Sequence, residues 1–290
     1  MRIRYNVSRF IARLLPDKLY LSIKYRTRFG YWMDWNNPQT YSEKLQWLKI
    51  NDRHEEYTKM VDKVAAKDYV ASIIGDEYII PTLAVYDSAD DIDFDKLPNQ
   101  FVLKCTHDSG GLIVCRDKST LDTEAARKKL RKGLKRTYII QNREYPYKNV
   151  PRRIIAEQYM EDENGELRDY KFYCFGGVPK YVFVASDREK KDIETKMDFF
   201  DMDWNHQPFV VKYHNNPITP KLPENFETMK DIAAQLSKGI PHVRIDLYNI
   251  NGKVFFGEMT FFAGSGFAHF IPKEWDLKFG ECIQLPQIQQ

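Results

Sequence analysis

Short runs rich in β-branched and aromatic residues alternate along this chain with longer stretches of helical spacing. Near the start, Val7, Phe10, Ile11, Leu14 and Leu15 recur on one helix face, with Arg2, Arg9 and Arg13 opposite. Pro16 ends that element, and Asn37-Pro38 marks a turn. Thr40-Tyr41-Ser42-Glu43 has the form of a capping box, so a helix should open there and run to about Ile50. A longer helix is predicted from about His54 to Ile74, stopped by Gly75. After Pro81 the texture changes. FVLKCT (101–106) and LIVCR (112–116) are short strand-like runs around the polar loop His107-Asp108-Ser109-Gly110-Gly111. A basic helix follows at about 123–136, then three strands at 152–160, 169–175 and 180–186. Gly176-Gly177-Val178-Pro179 joins the last two as a hairpin. A helix at about 226–238 precedes the final strand pair, HVRIDLYNI and KVFFGEMTF, joined at Asn251-Gly252. Strand runs with interspersed helices and antiparallel hairpins predict an α+β chain rather than a parallel doubly wound sheet.

Composition narrows the class. The chain has 290 residues, 43% hydrophobic and 14% aromatic, enough for a packed core in one large domain or two joined lobes. Dominant disorder is excluded. No apolar run approaches the roughly 18 residues of a membrane span, and mean hydropathy is -0.57. The first residues have no apolar stretch of signal-peptide length. Cys105, Cys115, Cys174 and Cys282 lack the paired spacing of a zinc site or disulfide framework. A cytoplasmic protein with reduced thiols is the expectation. The net charge of +3 is unevenly placed: residues 1–31 carry +7 and the rest −4. That basic arm can dock on the protein's own core or lie on an anionic membrane surface, at the inner face of the membrane. Nucleic acid is disfavoured, because the body that would face it is acidic.

Four groups of residues could carry chemistry. Lys104 stands on a strand just before the glycine loop, whose N–H groups can approach a phosphate closely. On the final hairpin Arg244 and Asp246 share one face, and Glu258 and Thr260 share one on the returning strand. Facing carboxylates on neighbouring strands can hold Mg²⁺ while leaving room for substrate phosphates, or can simply tie the hairpin through Arg244. A two-residue turn would put Asp246 and Glu258 on opposite faces, so a three-residue loop, Ile250-Asn251-Gly252, is predicted. Lys63 and Lys67 lie four apart on a predicted helix, as a solvated edge would place them. The strand IIAEQYM, turning polar at its end, is either a plain core strand or a backbone edge for a base.

In this order and spacing, DK from Asp62, FVLKCTHDSGG, AEQYM, RDYKF, RIDLY and GEMTF resemble the ATP-grasp enzymes, and more narrowly the TupA-like branch associated with surface-polysaccharide loci. The resemblance implies two α+β lobes clasping ATP, after an N-terminal helical extension. The expected division is 1–60 for the extension, 61–160 for the first lobe with its phosphate flap, and 161–290 for the second with the metal site. It implies Lys63, Lys104, His107, Ser109, Gly110 and Gly111 around the phosphates. Glu157, Gln158 and Met160 would line adenine, and Asp169 or a neighbouring acid the ribose. Lys171 would lie near the phosphates, Arg244 would steady an oxyanion, and Asp246, Glu258 and Thr260 would bind Mg²⁺. Thr260 stands where the family usually has asparagine, and Phe261-Phe262-Ala263 where related ligases often have a basic residue. Tyr173, Arg188, His214, Ser265 and His269 are candidates for the substrate pocket. The implied reaction joins a carboxylate to an amine through an acyl phosphate, with a sugar acid and an amino acid as substrates in capsule or surface-polysaccharide assembly. Three alternatives are a glycosyltransferase holding a metal on Asp201 and Asp203, a non-catalytic scaffolding relative seated at the membrane by the basic arm, and a sugar kinase using the same nucleotide site.

Overall fold

A computed structural model describes residues 14–108, 110–162, 167–186 and 195–287. Residues 1–13 of the basic arm, with Val7, Phe10 and Ile11, lie outside the described residues, as do Ser109 and Arg188. What is described of the arm is helix α1 (Asp17–Phe29), docked on the protein through Leu21 and Tyr25, which pack with Met33 and Phe267.

Helix α2 (Tyr41–Asn51) begins at the predicted capping box. The Thr40 hydroxyl accepts the Glu43 N–H at 3.2 Å, and the Glu43 carboxylate accepts the Thr40 N–H at 3.0 Å. Thr40→Ala should lower stability by about 1 kcal/mol, read as a shift in the urea midpoint. An unchanged midpoint would mean the cap contributes nothing.

The helix predicted over 54–74 is two helices, α3 (Glu56–Val61) and α4 (Ala65–Ile74). The chain leaves α3 at Asp62 in an extended conformation. Its carboxylate accepts the Val64 N–H at 3.1 Å and the Arg153 guanidinium at 2.8 Å. Arg153 stands far along the sequence, so no local signal announced the break. Its effect is to place Lys63 beside the second sheet rather than along a helix edge.

The first sheet is antiparallel, in the order β1 (Thr82–Tyr86), β4 (Ile154–Gln158), β2 (Phe101–Cys105), β3 (Leu112–Cys115). Helices α5 (Thr123–Leu134) and α6 (Tyr138–Asn142) lie between β3 and β4 in the chain. Ala126 and Leu130 of α5 pack with Phe101, Leu103 and Ile154 in this lobe's own core. The second sheet has the order β7 (Lys196–Asp201), β6 (Val178–Ser186), β5 (Asp169–Phe175), β8 (His242–Ile250), β9 (Lys253–Thr260). Helix α7 (Phe226–Ser237) covers one of its faces, with Phe226 stacked on Phe172 at 5.8 Å. Helix α8 (Glu274–Glu281) covers the other, where Phe279 meets Tyr173 and Tyr181. The cores of α2, α3 and α4 join this second cluster.

Register across the second sheet decides where the polar residues meet. The β8–β9 turn has two residues, Asn251 (φ 49) and Gly252 (φ 76), both left-handed, and Ile250 pairs with Lys253. The three-residue loop expected from sequence is therefore corrected. A bulge at Gly257 then adds one residue to β9, so that Leu247 faces Phe256 but Asp246 faces Glu258. A side chain would not fit at Gly257, because its Cβ would lie 2.9 Å from the Asp246 carbonyl oxygen.

One transverse row of partners results: Phe199, Phe183, Lys171, Asp246 and Glu258, from β7 across to β9. Residues directly opposed in adjacent strands share a face. The next row places Tyr173, Arg244 and Thr260 together on that same face.

A candidate nucleotide and metal site between two sheets

The row brings a charged cluster together at the β5, β8 and β9 positions. Asp246, 1% exposed, takes Arg244 Nε on Oδ1 at 2.6 Å and Nη2 on Oδ2 at 2.7 Å. Lys171 Nζ bonds the same carboxylate and also that of Asp169. Arg244 Nη2 reaches on to Glu258 at 3.3 Å and to the Thr260 hydroxyl at 3.1 Å, and that hydroxyl lies 3.3 Å from Glu258. Lys63 comes within 3.9 Å of Glu258 from the α3–α4 break.

Environment separates the two facing carboxylates. Burial pushes Asp246 up to about 6, against the pull of Arg244 and Lys171. Burial would raise Glu258 too, but Lys63, Lys171, Arg244 and Lys104 override it and hold that carboxyl at about 2. Glu258 keeps 41% of its side chain exposed, so an ionised, accessible carboxylate stands opposite a buried one.

Among the described residues no three His, Cys, Asp or Glu side chains converge as a metal cage. The donors that do converge are the oxygens of Asp246, Glu258 and Thr260. Such a set fits Mg²⁺, which takes one or two carboxylates and fills its remaining positions with water and substrate phosphate.

The second half of the site lies on the first sheet. Glu157 on β4 receives Lys67 and Lys104, each at 2.6 Å. Burial would raise its pKa, but the two lysines together lower it. Lys67 also donates to the Ile80 carbonyl at 2.6 Å, and its side chain is 12% exposed. It is thus not on the solvated edge that its helical spacing suggested. A hollow lined by Lys63, Lys67, Lys104, Glu157, Gly257 and Glu258 joins the two halves.

Beside it opens a cavity of about 220 Å³, walled by Val102, Leu112, Val114, Met160, Leu167 and Tyr248. Lys104 and Glu157 also line it, with Gln158 at its rim. The Gln158 N–H is used within the protein, on the Pro81 carbonyl at 3.0 Å.

Of the glycine loop, His107, Asp108, Gly110 and Gly111 are described. The Gly110 N–H donates to Asp108 Oδ1 at 2.9 Å, and the Gly111 carbonyl accepts the Cys105 N–H at 2.8 Å. Asp108 is fixed by Arg136 at 2.9 Å. His107 is 5% exposed, and neither ring nitrogen has a hydrogen-bond partner among the described residues. Burial and then the charge of Arg152 lower its pKa, so the ring favours its neutral form. The Thr106 carbonyl, next to His107, accepts the Lys63 N–H at 3.4 Å.

Most of the predicted site residues thus meet in one region. Asp169 lies under Lys171 rather than at the open cavity. Of the substrate-pocket candidates, His214 and His269 line a separate basin on the second lobe. Ser265 is tied to Glu144 through its hydroxyl at 2.5 Å, and Tyr173 is buried. Asp201 spends its carboxylate on its own turn, accepting the Asp203 N–H at 3.0 Å and the Asn205 N–H at 2.9 Å. That arrangement does not present Asp201 and Asp203 as a pair to a metal.

Two α+β lobes whose antiparallel sheets meet over a lysine-rich cleft, one lobe bearing facing acids, define the ATP-grasp class of fold. The chain belongs to one branch of that class, since the family model TupA-like ATPgrasp matches residues 43–284. No curated protein matches it. Among solved structures it is similar to the D-alanine–D-alanine ligase of Bacillus anthracis complexed with ATP, at 14% identity and TM-score 0.40, covering 69% of this chain and 53% of that one. It is similar to the D-cycloserine synthetase DcsG at 16% identity and TM-score 0.43, over 77% of this chain and 69% of the other. For the ADP complex of the N5-carboxyaminoimidazole ribonucleotide synthetase purK the values are 15%, 0.43, 76% and 50%. The chain spans about half the length of the first of these.

Proposed function

We propose that this chain is an ATP-dependent carboxylate–amine ligase, with a sugar acid and an amino acid as the substrate classes, acting in surface-polysaccharide assembly. The observation that carries this reading is the pairing of Asp246 with Glu258 beside the Lys63, Lys67 and Lys104 cleft. Adenine would occupy the apolar cavity, against Met160 and with Glu157 and Gln158 at its edge. Lys104, Lys67 and Lys63 would hold the phosphates, with the loop of His107, Ser109, Gly110 and Gly111 closing over them. Asp246, Glu258 and Thr260 would hold Mg²⁺, which neutralises phosphate charge when bound. Asp169 orients Lys171, which reaches Asp246 at the phosphate end.

A carboxylate is a poor electrophile. Its oxygen would attack the γ-phosphorus, releasing ADP and leaving an acyl phosphate. The amine then attacks the acyl carbon, phosphate departs, and the amine loses its proton. Arg244, on the same face as the acids, steadies the oxyanion that develops. No described helix is long and apolar enough to cross a membrane. We place the protein in the cytoplasm, with the basic arm of residues 1–31 in peripheral contact with the membrane's inner face.

Thermal unfolding tests the nucleotide half. Mg-ATP at about 100 times its dissociation constant should add about 2.7 kcal/mol and raise the midpoint by several degrees. Glu258→Ala should remove most of that rise. A UDP-sugar shift without an ATP shift would overturn the ligase reading. The catalytic half is read as ADP release that needs both an acid and an amine; a stable sugar phosphate as product would make the protein a kinase instead.

A further inference from the structure

A second concavity lies on the same face of the second sheet as the acids. It has a volume of about 530 Å³ and is lined by Arg28, Lys212, Tyr213, His214, Phe267 and His269, among others. Its position follows from register. Lys171 is opposed by Phe183, and Phe183 by Phe199, so all three side chains share the face of Asp246. Phe209 packs against Phe199 with ring centroids 4.4 Å apart, and the chain continues from it directly into the basin wall at Val210 and Val211. The opposite wall begins at Gly264, four residues beyond Thr260. A short bridge between Val210 and Ile271 ties the two walls together. Helix α1 closes the third side, where Arg28 Nε donates to the Phe267 carbonyl at 2.9 Å.

The lining has one sign of charge. Arg28 and Lys212 are cationic, and none of the described lining residues is acidic. Burial, and then the charges of Arg28 and Lys273, lower the pKa of His269. Such a basin attracts an anion. Its remaining walls are Tyr213, Phe267 and small aliphatics, surfaces that suit the apolar face of a sugar ring. The volume falls within the roughly 300–1,000 Å³ that ligand pockets occupy.

We propose that this basin binds the anionic saccharide substrate, with Arg28 and Lys212 as its specificity-determining cations. The proposal rests on the ligase reading, whose acid and phosphate centre lies on the same sheet face. It predicts that the α1 helix is part of the substrate site and not only a tether.

The test is calorimetric titration of the full chain, without nucleotide, using digalacturonate, glucose 1-phosphate and neutral maltose. Wild type should bind at least one of the two acids and bind maltose far more weakly. The tighter acid assigns a carboxylate or a phosphate as the recognised group, and either result supports the site. Arg28→Gln and Lys212→Gln should each weaken that acid about tenfold or more, the loss of one charged hydrogen bond. Their ligand-free unfolding midpoints check that the fold is retained. Should either variant fail this check, the other carries the test. Maltose binding as tight as the acids, no binding of either acid, or full affinity in Arg28→Gln/Lys212→Gln would overturn the proposal. Mg-ATP shifts are scored separately: their absence would sink the ligase reading while leaving the saccharide result intact.

Discussion

Arg244→Ala should slow turnover of an acid–amine pair by about 10²–10³-fold, the usual cost of losing one group aimed at a developing oxyanion. Mg-ATP should still bind, since Lys63, Lys67 and Lys104 line the cleft without Arg244. The same substitution should lower stability by about 3–5 kcal/mol, because it strips two hydrogen bonds from the buried Asp246 and leaves Lys171 to balance it. Steady-state ADP release and urea unfolding separate the two effects. Arg244→Lys restores the charge without the two-point grip on Asp246, so it should recover part of the stability and little of the rate. Full turnover in Arg244→Ala would remove this residue from the chemistry.

The second large effect is expected at a residue with no side chain. Gly257→Ala places a Cβ 2.9 Å from the Asp246 carbonyl oxygen and 3.2 Å from the Tyr248 ring. If β9 responds by losing its bulge, the register set at the turn continues unbroken. The substituted alanine then opposes Asp246, and Glu258 turns to the other face. The variant should lose about 1–3 kcal/mol of stability and its Mg-ATP shift together. Deleting Gly257 gives the opposite forecast: the same register count then puts Glu258 opposite Asp246 with no bulge at all. The deletion should keep more of the nucleotide response than alanine does. A normal Mg-ATP shift in Gly257→Ala would show that the bulge does not position the acids.

These two positions also show what can be read from the chain alone. Alternation around Arg244 and Asp246 identified the shared face, and the capping box at Thr40 placed α2, because both are local patterns. The three-residue turn expected from sequence puts Glu258 on the face of Asp246 but opposite Arg244, one diagonal away, whereas the structure sets Glu258 directly opposite Asp246. A longer turn was inferred, whereas Asn251-Gly252 forms the tight turn its sequence favours and Gly257 makes the correction. A glycine inside an otherwise β-rich strand was the available signal for a bulge. The break at Asp62 had no such signal, since its cause, Arg153, is distant in sequence. Strands β1 and β7 were also not anticipated, and both lie at sheet edges. Lys67 was read from helical spacing as solvated, because spacing shows which residues share a helix face but not what that face meets. Here it meets Glu157.

Glu157 holds Lys67 and Lys104 at 2.6 Å each. A lysine side chain gives up about 1.5–2 kcal/mol of rotamer freedom when it is fixed. In this protein folding has already absorbed that loss for both lysines. An arriving phosphate meets ammonium groups that are ordered in advance, and its binding energy is not spent on stilling them.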